Sequence, residues 1–171
     1  SKMLRIELND DYPIKGRINY FEGYMFATIE KHYNKHYSFD EKLYLIDGKK
    51  SVANEYSMMD LKLRKEALKD FNNMNKEDFD DNLEPSHYSC TLIDILDDEN
   101  IYSKKEIQNL YKELLDEYIK FLVVNKRIGV IVPHFFQDKR VPHFHLIYQK
   151  DKENEFVDYL LKNNKEKNNG K

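Results

Sequence analysis

The fold is decided by the stretch Val130-Ile131-Val132-Pro133-His134-Phe135-Phe136-Gln137-Asp138-Lys139-Arg140-Val141-Pro142-His143-Phe144-His145-Leu146-Ile147-Tyr148-Gln149. Its first part is rich in β-branched and aromatic residues, residues 138–140 form a short polar break, and its last part is apolar again. Apolar runs on both sides of a short polar turn are typical of two antiparallel strands. The stretch therefore predicts a β-hairpin, and it contains three of the chain's six histidines.

The three histidines are spaced to meet on one side of this hairpin. His143 and His145 are two residues apart, so in a strand they lie on the same face. A turn closing near Lys139 would place His134 opposite His145, with Cβ atoms about 5 Å apart. Neutral imidazole is a common metal ligand and a common acid or base. We therefore expect three imidazoles to converge on one point, the alternative being hydrogen-bonded core histidines.

Length and composition predict one domain in a reducing compartment. A chain of 171 residues suits a single domain. The single cysteine, Cys90, permits no disulfide within the chain. No apolar run approaches the roughly 18 residues of a membrane span, and no signal peptide opens the chain. These features predict no membrane partner and a cytoplasmic location.

Charge is divided unevenly along the chain, although the net charge is only −3. Residues 120–171 hold 11 Lys and Arg against 6 Asp and Glu, a balance of +5, whereas residues 1–119 hold 17 against 25, a balance of −8. A positive field around the hairpin would suit a phosphate-bearing ligand. The alternative is a solvated face followed by a basic tail.

The remaining pattern predicts a single α+β domain over residues 1–171, with an antiparallel sheet and helices packed on one or both faces. Ser103 and Glu106 form a capping box at the start of the strongest helix. Residues 1–86 are an N-terminal part of uncertain role, 87–163 the histidine-hairpin core, and 164–171 a disordered tail. The predicted strands are 2–8, 42–46 and 87–96 besides the hairpin, and the predicted helices are 20–36, 61–71, 103–124 and 152–163, with residues 51–59 unassigned and 71–84 a loop or weak helix.

Pro142-His143-Phe144-His145 resembles the His-hydrophobic-His motif of the HUH endonuclease superfamily, which includes plasmid mobilisation relaxases and rolling-circle replication initiators. The resemblance covers residues 87–150. It implies a ferredoxin-like palm that binds single-stranded DNA and a divalent metal, Mn²⁺ or Mg²⁺, held by His134, His143 and His145. The basic residues nearest the hairpin, expected to contact the substrate, are Lys139, Arg140 and Lys150.

The same resemblance implies a tyrosine nucleophile. Replication initiators carry Tyr-x-x-Lys on the helix after the histidine strand, which indicates Tyr159 with Lys162 as the catalytic pair. Five strand residues carry the chain about 17 Å away, and eight residues of returning helix bring it back about 12 Å. In mobilisation relaxases the nucleophile lies near the N-terminus, which indicates Tyr33 or His32 instead.

Two other functions use some of the same residues. His87-Tyr88-Ser89 and His143 resemble the two motifs of two-histidine phosphoesterases, which act on cyclic nucleotide or RNA phosphodiesters without a metal. A histidine-triad nucleotide hydrolase fits less well, because alternation stops after two histidines. A phage or plasmid protein that binds nucleic acid or protein on the same fold, without a nucleophile, is the third alternative. The sequence predicts no oligomeric state.

Overall fold

A computed structural model describes residues 3–8, 42–57, 61–78, 88–96, 103–134, 143–149, 151–152 and 155–169. Within the strands and helices it describes some residues, including His134 and His143, by backbone alone. In chain order the elements are β1 (Met3–Leu8), β2 (Lys42–Asp47), β3 (Val52–Ser57), α1 (Leu61–Asp78), β4 (Tyr88–Leu96), α2 (Lys104–Val124), β5 (Ile128–His134), β6 (His143–Gln149) and α3 (Glu155–Asn169).

The described strands form one six-stranded sheet in the order β1-β4-β6-β5-β2-β3. Every neighbouring pair is antiparallel. The predicted α+β class with an antiparallel sheet is therefore confirmed. The hairpin strands β5 and β6 lie at its centre, because β4 pairs with the free side of β6 and β2 with the free side of β5.

Helices α2 and α3 cover one face of the sheet. The predicted capping box starts α2: Glu106 N–H donates to Ser103 Oγ at 3.1 Å, and Ser103 N–H donates to Glu106 Oε1 at 3.3 Å. Apolar residues at helical spacing then face the strands. The shared core contains Ile46, Ile93, Ile107, Tyr111, Leu114, Leu115, Tyr118, Phe121, Leu122, Ile131, Phe144, Leu146, Tyr148, Phe156 and Leu160.

Helix α1 covers the opposite face. Side chains alternate along a strand, so the neighbours of Ile131 and Phe144 in sequence lie on this second face. Tyr56 pairs in register with Leu43 on this face, and its hydroxyl donates to Asp70 Oδ2 of α1 at 2.8 Å. The buried residues here include Leu43, Leu45, Tyr56, Ala67, Phe71, Val130, Val132 and Ile147. The sheet is thus the middle of three layers.

The ends of α2 and α3 are joined by one arginine. Arg127 follows α2, and its side chain is only 13% exposed. Its guanidinium forms an ion pair with Glu155, the first residue of α3, and a second one with Asp151 at 2.7 Å. The Glu155 carboxylate also accepts hydrogen bonds from the N–H groups of Asp151 and Lys152. This network fixes the start of α3 against the end of α2.

The structure extends the predicted secondary structure by several residues in three places. Residues 52–57, to which the sequence pattern assigns no element, form the edge strand β3. Helix α1 runs on to Asp78, through part of the acidic stretch predicted to be a loop or weak helix. Helix α3 continues past residue 163 to Asn169, into the segment predicted to be a disordered tail.

Candidate functional site

The hairpin register pairs His134 with His143, and it pairs Val132 with His145. The prediction that His134 lies opposite His145 is therefore wrong. The centre of the β5–β6 hairpin lies one residue earlier in the chain than a pairing of His134 with His145 would require. A shift of one residue in the centre moves each cross-strand partner by two residues, which preserves the face.

The structure nevertheless brings the three histidine positions onto one face of the sheet. His143 and His145 share it by their spacing, and His134 shares it as the cross-strand partner of His143. A directly paired position is about 4.5–5.5 Å away between Cα atoms. A diagonal position, such as His145 from His134, is about 7–8 Å away. This face is the one that α1 partly covers, since Val130 and Val132 also lie on it.

A carboxylate position lies in the same row as the first histidine pair. Asp94 of β4 pairs with His143, and Arg5 of β1 pairs with Asp94. Adjacent strands are about 4.8 Å apart, so the row Arg5, Asp94, His143, His134 crosses four strands side by side. Sequence reasoning missed Asp94, because an acidic residue in an alternating strand predicts only a polar face. The strand order is what makes it a neighbour of His143.

His145 is buried, two residues further along β6 than His143. The residue is only 4% exposed. In register it stands between Leu92 of β4 and Val132 of β5, and Val132 is fully buried. An imidazole in such surroundings is either a packed core residue or a metal ligand.

Tyr159 and Lys162 are not brought to the histidine positions. The ring centroid of Tyr159 is 5.5 Å from that of Phe121 and 6.2 Å from that of Phe156, both in the core under α2 and α3. The sheet lies between this core and the histidine face. Lys162 is exposed on the same helix. Strand and helix lengths predict that Tyr159 returns to about the height of the histidines along the strand. Those lengths do not determine which face of the sheet the helix covers.

Of the first two-histidine motif, the described part does not lie beside His143. Ser89, the end of the first proposed motif, pairs with Tyr148, whereas His143 pairs with Asp94. Ser89 and Asp94 are five residues apart on one strand, which is about 17 Å. Ser89 also shares a face with Ile93, in the layer covered by α2 and α3. Ser89 and His143 therefore lie near opposite ends of the β4–β6 ladder, and their positions belong to opposite faces.

The remaining predicted residues lie outside the described part of the chain. They are Lys139, Arg140 and Lys150, expected to contact the substrate, and Tyr33, His32 and His87, expected from the relaxase and phosphoesterase resemblances. Among the side chains that the structure describes, no group of three or more His, Cys, Asp or Glu has metal-binding geometry. None of the described helices is both long and apolar enough to cross a membrane.

Comparison with protein-family models, with curated proteins and with solved structures finds no match to this chain. Function must therefore be inferred from the site itself: three histidine positions and one aspartate position on a single sheet face.

Proposed function

We propose that this protein is a metal-dependent HUH-type nickase or strand-transfer enzyme acting on single-stranded DNA. The observation that carries the proposal is the strand register, which gathers His134, His143 and His145 on one face of the central hairpin. The Pro-His-Phe-His order around the last two is the motif on which the resemblance to mobilisation relaxases depends. The α+β sheet with helices on both sides is compatible with an HUH-type palm.

The donor set fits a divalent cation. Three imidazoles would supply nitrogen ligands and leave positions open for substrate. Asp94, in the same row, would supply a carboxylate, which is the ligand that Mg²⁺ and Mn²⁺ prefer. Such an ion supplies Lewis-acid polarisation of the scissile phosphate.

The nucleophile must reach the histidine face. Tyr159 packs in the opposite layer, so we assign the role to Tyr33, the N-terminal candidate expected from mobilisation relaxases; His32 is the alternative. The Tyr33 oxygen would attack phosphorus and lose its proton to a nearby base or water. A phosphotyrosine bond to the 5′ end forms, the bond to the 3′ oxygen breaks, and that oxygen leaves as a free 3′ hydroxyl.

Lys139, Arg140 and Lys150 would hold the DNA at the hairpin. They flank the histidines in sequence and contribute to the +5 balance of residues 120–171. Cations contact the phosphate backbone without reading sequence. We expect them to govern affinity rather than the choice of cleavage position.

The proposal is tested by covalent capture. The protein is incubated with a pool of end-labelled single-stranded DNA and Mn²⁺, and the products are separated by denaturing electrophoresis. A retarded protein–DNA adduct is expected, and it should be lost in Tyr33→Phe and in the double variant His143→Ala/His145→Ala. Tyr159→Phe is the matched control and should keep the adduct.

Two outcomes would overturn the assignment. Cleavage that survives a chelator or the double histidine variant would exclude the metal site. An adduct lost in Tyr159→Phe but kept in Tyr33→Phe would return the nucleophile to α3.

A non-catalytic nucleic-acid-binding protein on the same fold is the second candidate. The position of Tyr159 favours it, because its ring packs in the layer opposite to the histidine positions, and the hydroxyl of Tyr56 on the histidine side donates to Asp70. Such a protein would slow the migration of single-stranded DNA in a native gel. It would form no covalent protein–DNA adduct in the presence of Mn²⁺ or Mg²⁺.

A further inference from the structure

Helix α1 presents three lysines to solvent on the histidine side of the sheet. Lys62, Lys65 and Lys69 are exposed, whereas Ala67 and Phe71 on the inner side are buried. Their spacing of three and four residues places them along one line of the helix. The line is about 10 Å long at 1.5 Å per residue. We call these three residues the lysine ridge.

The ridge lies on the same side of the sheet as the candidate site. Tyr56, which donates to Asp70 of α1, pairs in register with Leu43. The next residue of this face along β2, Leu45, pairs with Val130 of β5. Val130 lies on the face of His134, four residues along the same strand. A ligand that lies along the outside of α1 is therefore on the side of the sheet where the histidines are.

The ridge begins in the first turn of α1, at the N-terminal end of the helix. The first turn of α1 contains no acidic residue, whereas that of α2 contains Glu106 and that of α3 contains Glu155 and Asp158. Acidic side chains complement the positive N-terminal end of a helix, and lysines oppose it. Glu66, which is also exposed, lies beside the ridge. A bound polyanion would complement this end of the helix.

We propose that the lysine ridge binds the sugar-phosphate backbone of single-stranded DNA and leads it to the histidine face. The identity of the polyanion rests on the proposed function. The geometry of the ridge itself does not depend on catalysis, so binding and cleavage are separable.

The experiment compares two triple variants that make the same change of charge. Lys62→Gln/Lys65→Gln/Lys69→Gln removes the ridge. Lys105→Gln/Lys112→Gln/Lys120→Gln removes three exposed lysines of α2, in the opposite layer. Binding of a fluorescently labelled, mixed-sequence single-stranded oligodeoxynucleotide is followed by anisotropy at several salt concentrations, in the presence of chelator.

Each lysine that no longer neutralises a phosphate of single-stranded DNA lowers the slope of log K against log salt by about 0.7. The ridge variant should therefore show a slope that is smaller by about 2, and the α2 variant should keep the slope of the unmodified protein. The urea midpoint of the free ridge variant should be unchanged, because the three substituted side chains are exposed. A weaker fold would instead lower the midpoint.

The proposal fails if the slope falls equally in both triple variants, or if it does not fall in the ridge variant. Failure of the proposed function has a different signature: no metal-dependent adduct, with ridge-dependent binding intact. If the function is correct and the ridge is not, the adduct forms and the two triple variants bind DNA equally.

Discussion

The residue type at position 129 is determined by helix α2, which packs on it. Gly129 lies in β5 directly beneath α2, where a Cβ atom would lie 2.5 Å from the hydroxyl oxygen of Tyr118 and 2.8 Å from a methyl carbon of Leu122. The same buried hydroxyl lies 3.2 Å from the carbonyl oxygen of Val130 and 3.1 Å from that of Ile147. Glycine at 129 lets the phenol sit between the two hairpin strands.

Tyr56 gives a residue-scale prediction about alkaline pH. Burial, reinforced by the hydrogen bond to Asp70 and by that residue's charge, raises the pKa of Tyr56 above its ordinary value of 10.0. The stabilisation from the neutral phenol is therefore complete below pH 10 and is lost as pH rises toward the folded-state pKa. Urea unfolding from about pH 9 to about pH 11 should show a steeper loss of stability in the unmodified protein than in Tyr56→Phe.

At neutral pH the same substitution should cost about 1 kcal/mol, because Asp70 loses its donor. Tyr159→Phe provides a control for general alkaline denaturation. Equal pH slopes for Tyr56→Phe and the unmodified protein would contradict the prediction.

At this scale the sequence predicted some of the site and not the rest. The shared face of His143 and His145 follows from spacing alone. The partner of His134 does not, because it depends on how the turn closes. Asp94 enters the row only through the pairing of β4 with β6, which joins residues far apart in the chain. The side of the sheet on which Tyr159 lies was also not predictable, because it depends on which face α3 packs against.

Helix α2 ends in a hydrogen-bond pattern that favours glycine at position 126. Arg127 N–H donates to Leu122 O at 2.9 Å, and Lys126 N–H donates to Val123 O at 3.2 Å. These are the two bonds of a Schellman motif, with Lys126 in the left-handed region at φ 53°. A side chain makes this conformation costly.

Lys126→Gly is therefore expected to stabilise the protein by about 0.5–1 kcal/mol, since relief of the left-handed strain outweighs the added flexibility of the unfolded chain. The free energy of unfolding in urea measures the change. Lys126→Ala removes the same charge but keeps the Cβ, so it separates the two effects. An alanine variant as stable as the glycine variant would show that conformation is not the cause.

Elements with strong local signals were predictable, and those defined by their neighbours were not. The capping box and apolar stripe of α2 appear directly in the sequence. Strand β3 has no such signal, because four of its six residues are exposed and its pairing with β2 is what makes it a strand. The turn before it is also shaped by tertiary contact: Gly48 N–H donates to Arg127 O at 2.8 Å, and a Cβ at Gly48 would overlap the carbonyl of Leu122.

On the scale of the whole molecule, metal binding should raise the melting temperature. A ligand that binds only the folded protein stabilises it by about 2.7 kcal/mol at one hundred times its Kd. Mn²⁺ is expected to shift the thermal unfolding of the unmodified protein and to leave His143→Ala/His145→Ala unshifted. Asp94→Asn should show a smaller shift at equal Mn²⁺.

His87→Ala is the control for this experiment, because it also removes an imidazole and His87 is not one of the proposed ligands. It should respond to Mn²⁺ like the unmodified protein. A shift of equal size in the double histidine variant would mean that the cation binds elsewhere.

The class of fold was predictable from the sequence, but the strand order was not. Hairpin neighbours β2 with β3 and β5 with β6 follow from short connections. The pairings of β1 with β4, β4 with β6 and β2 with β5 join segments that are distant in the chain. These pairings depend on how much apolar surface is buried on both faces of the whole sheet, and a local sequence pattern does not contain that information.

The central place of β6 has a consequence for biosynthesis. This strand is the last of the six in sequence, yet it alone joins the β1–β4 pair to the β5–β2–β3 group. In a nascent chain that lacks residues 143–149, no described strand pairing can connect the two groups, of which one contains Asp94 and the other His134. The candidate site arises only when translation has passed β6, and a chain truncated before it carries no completed site.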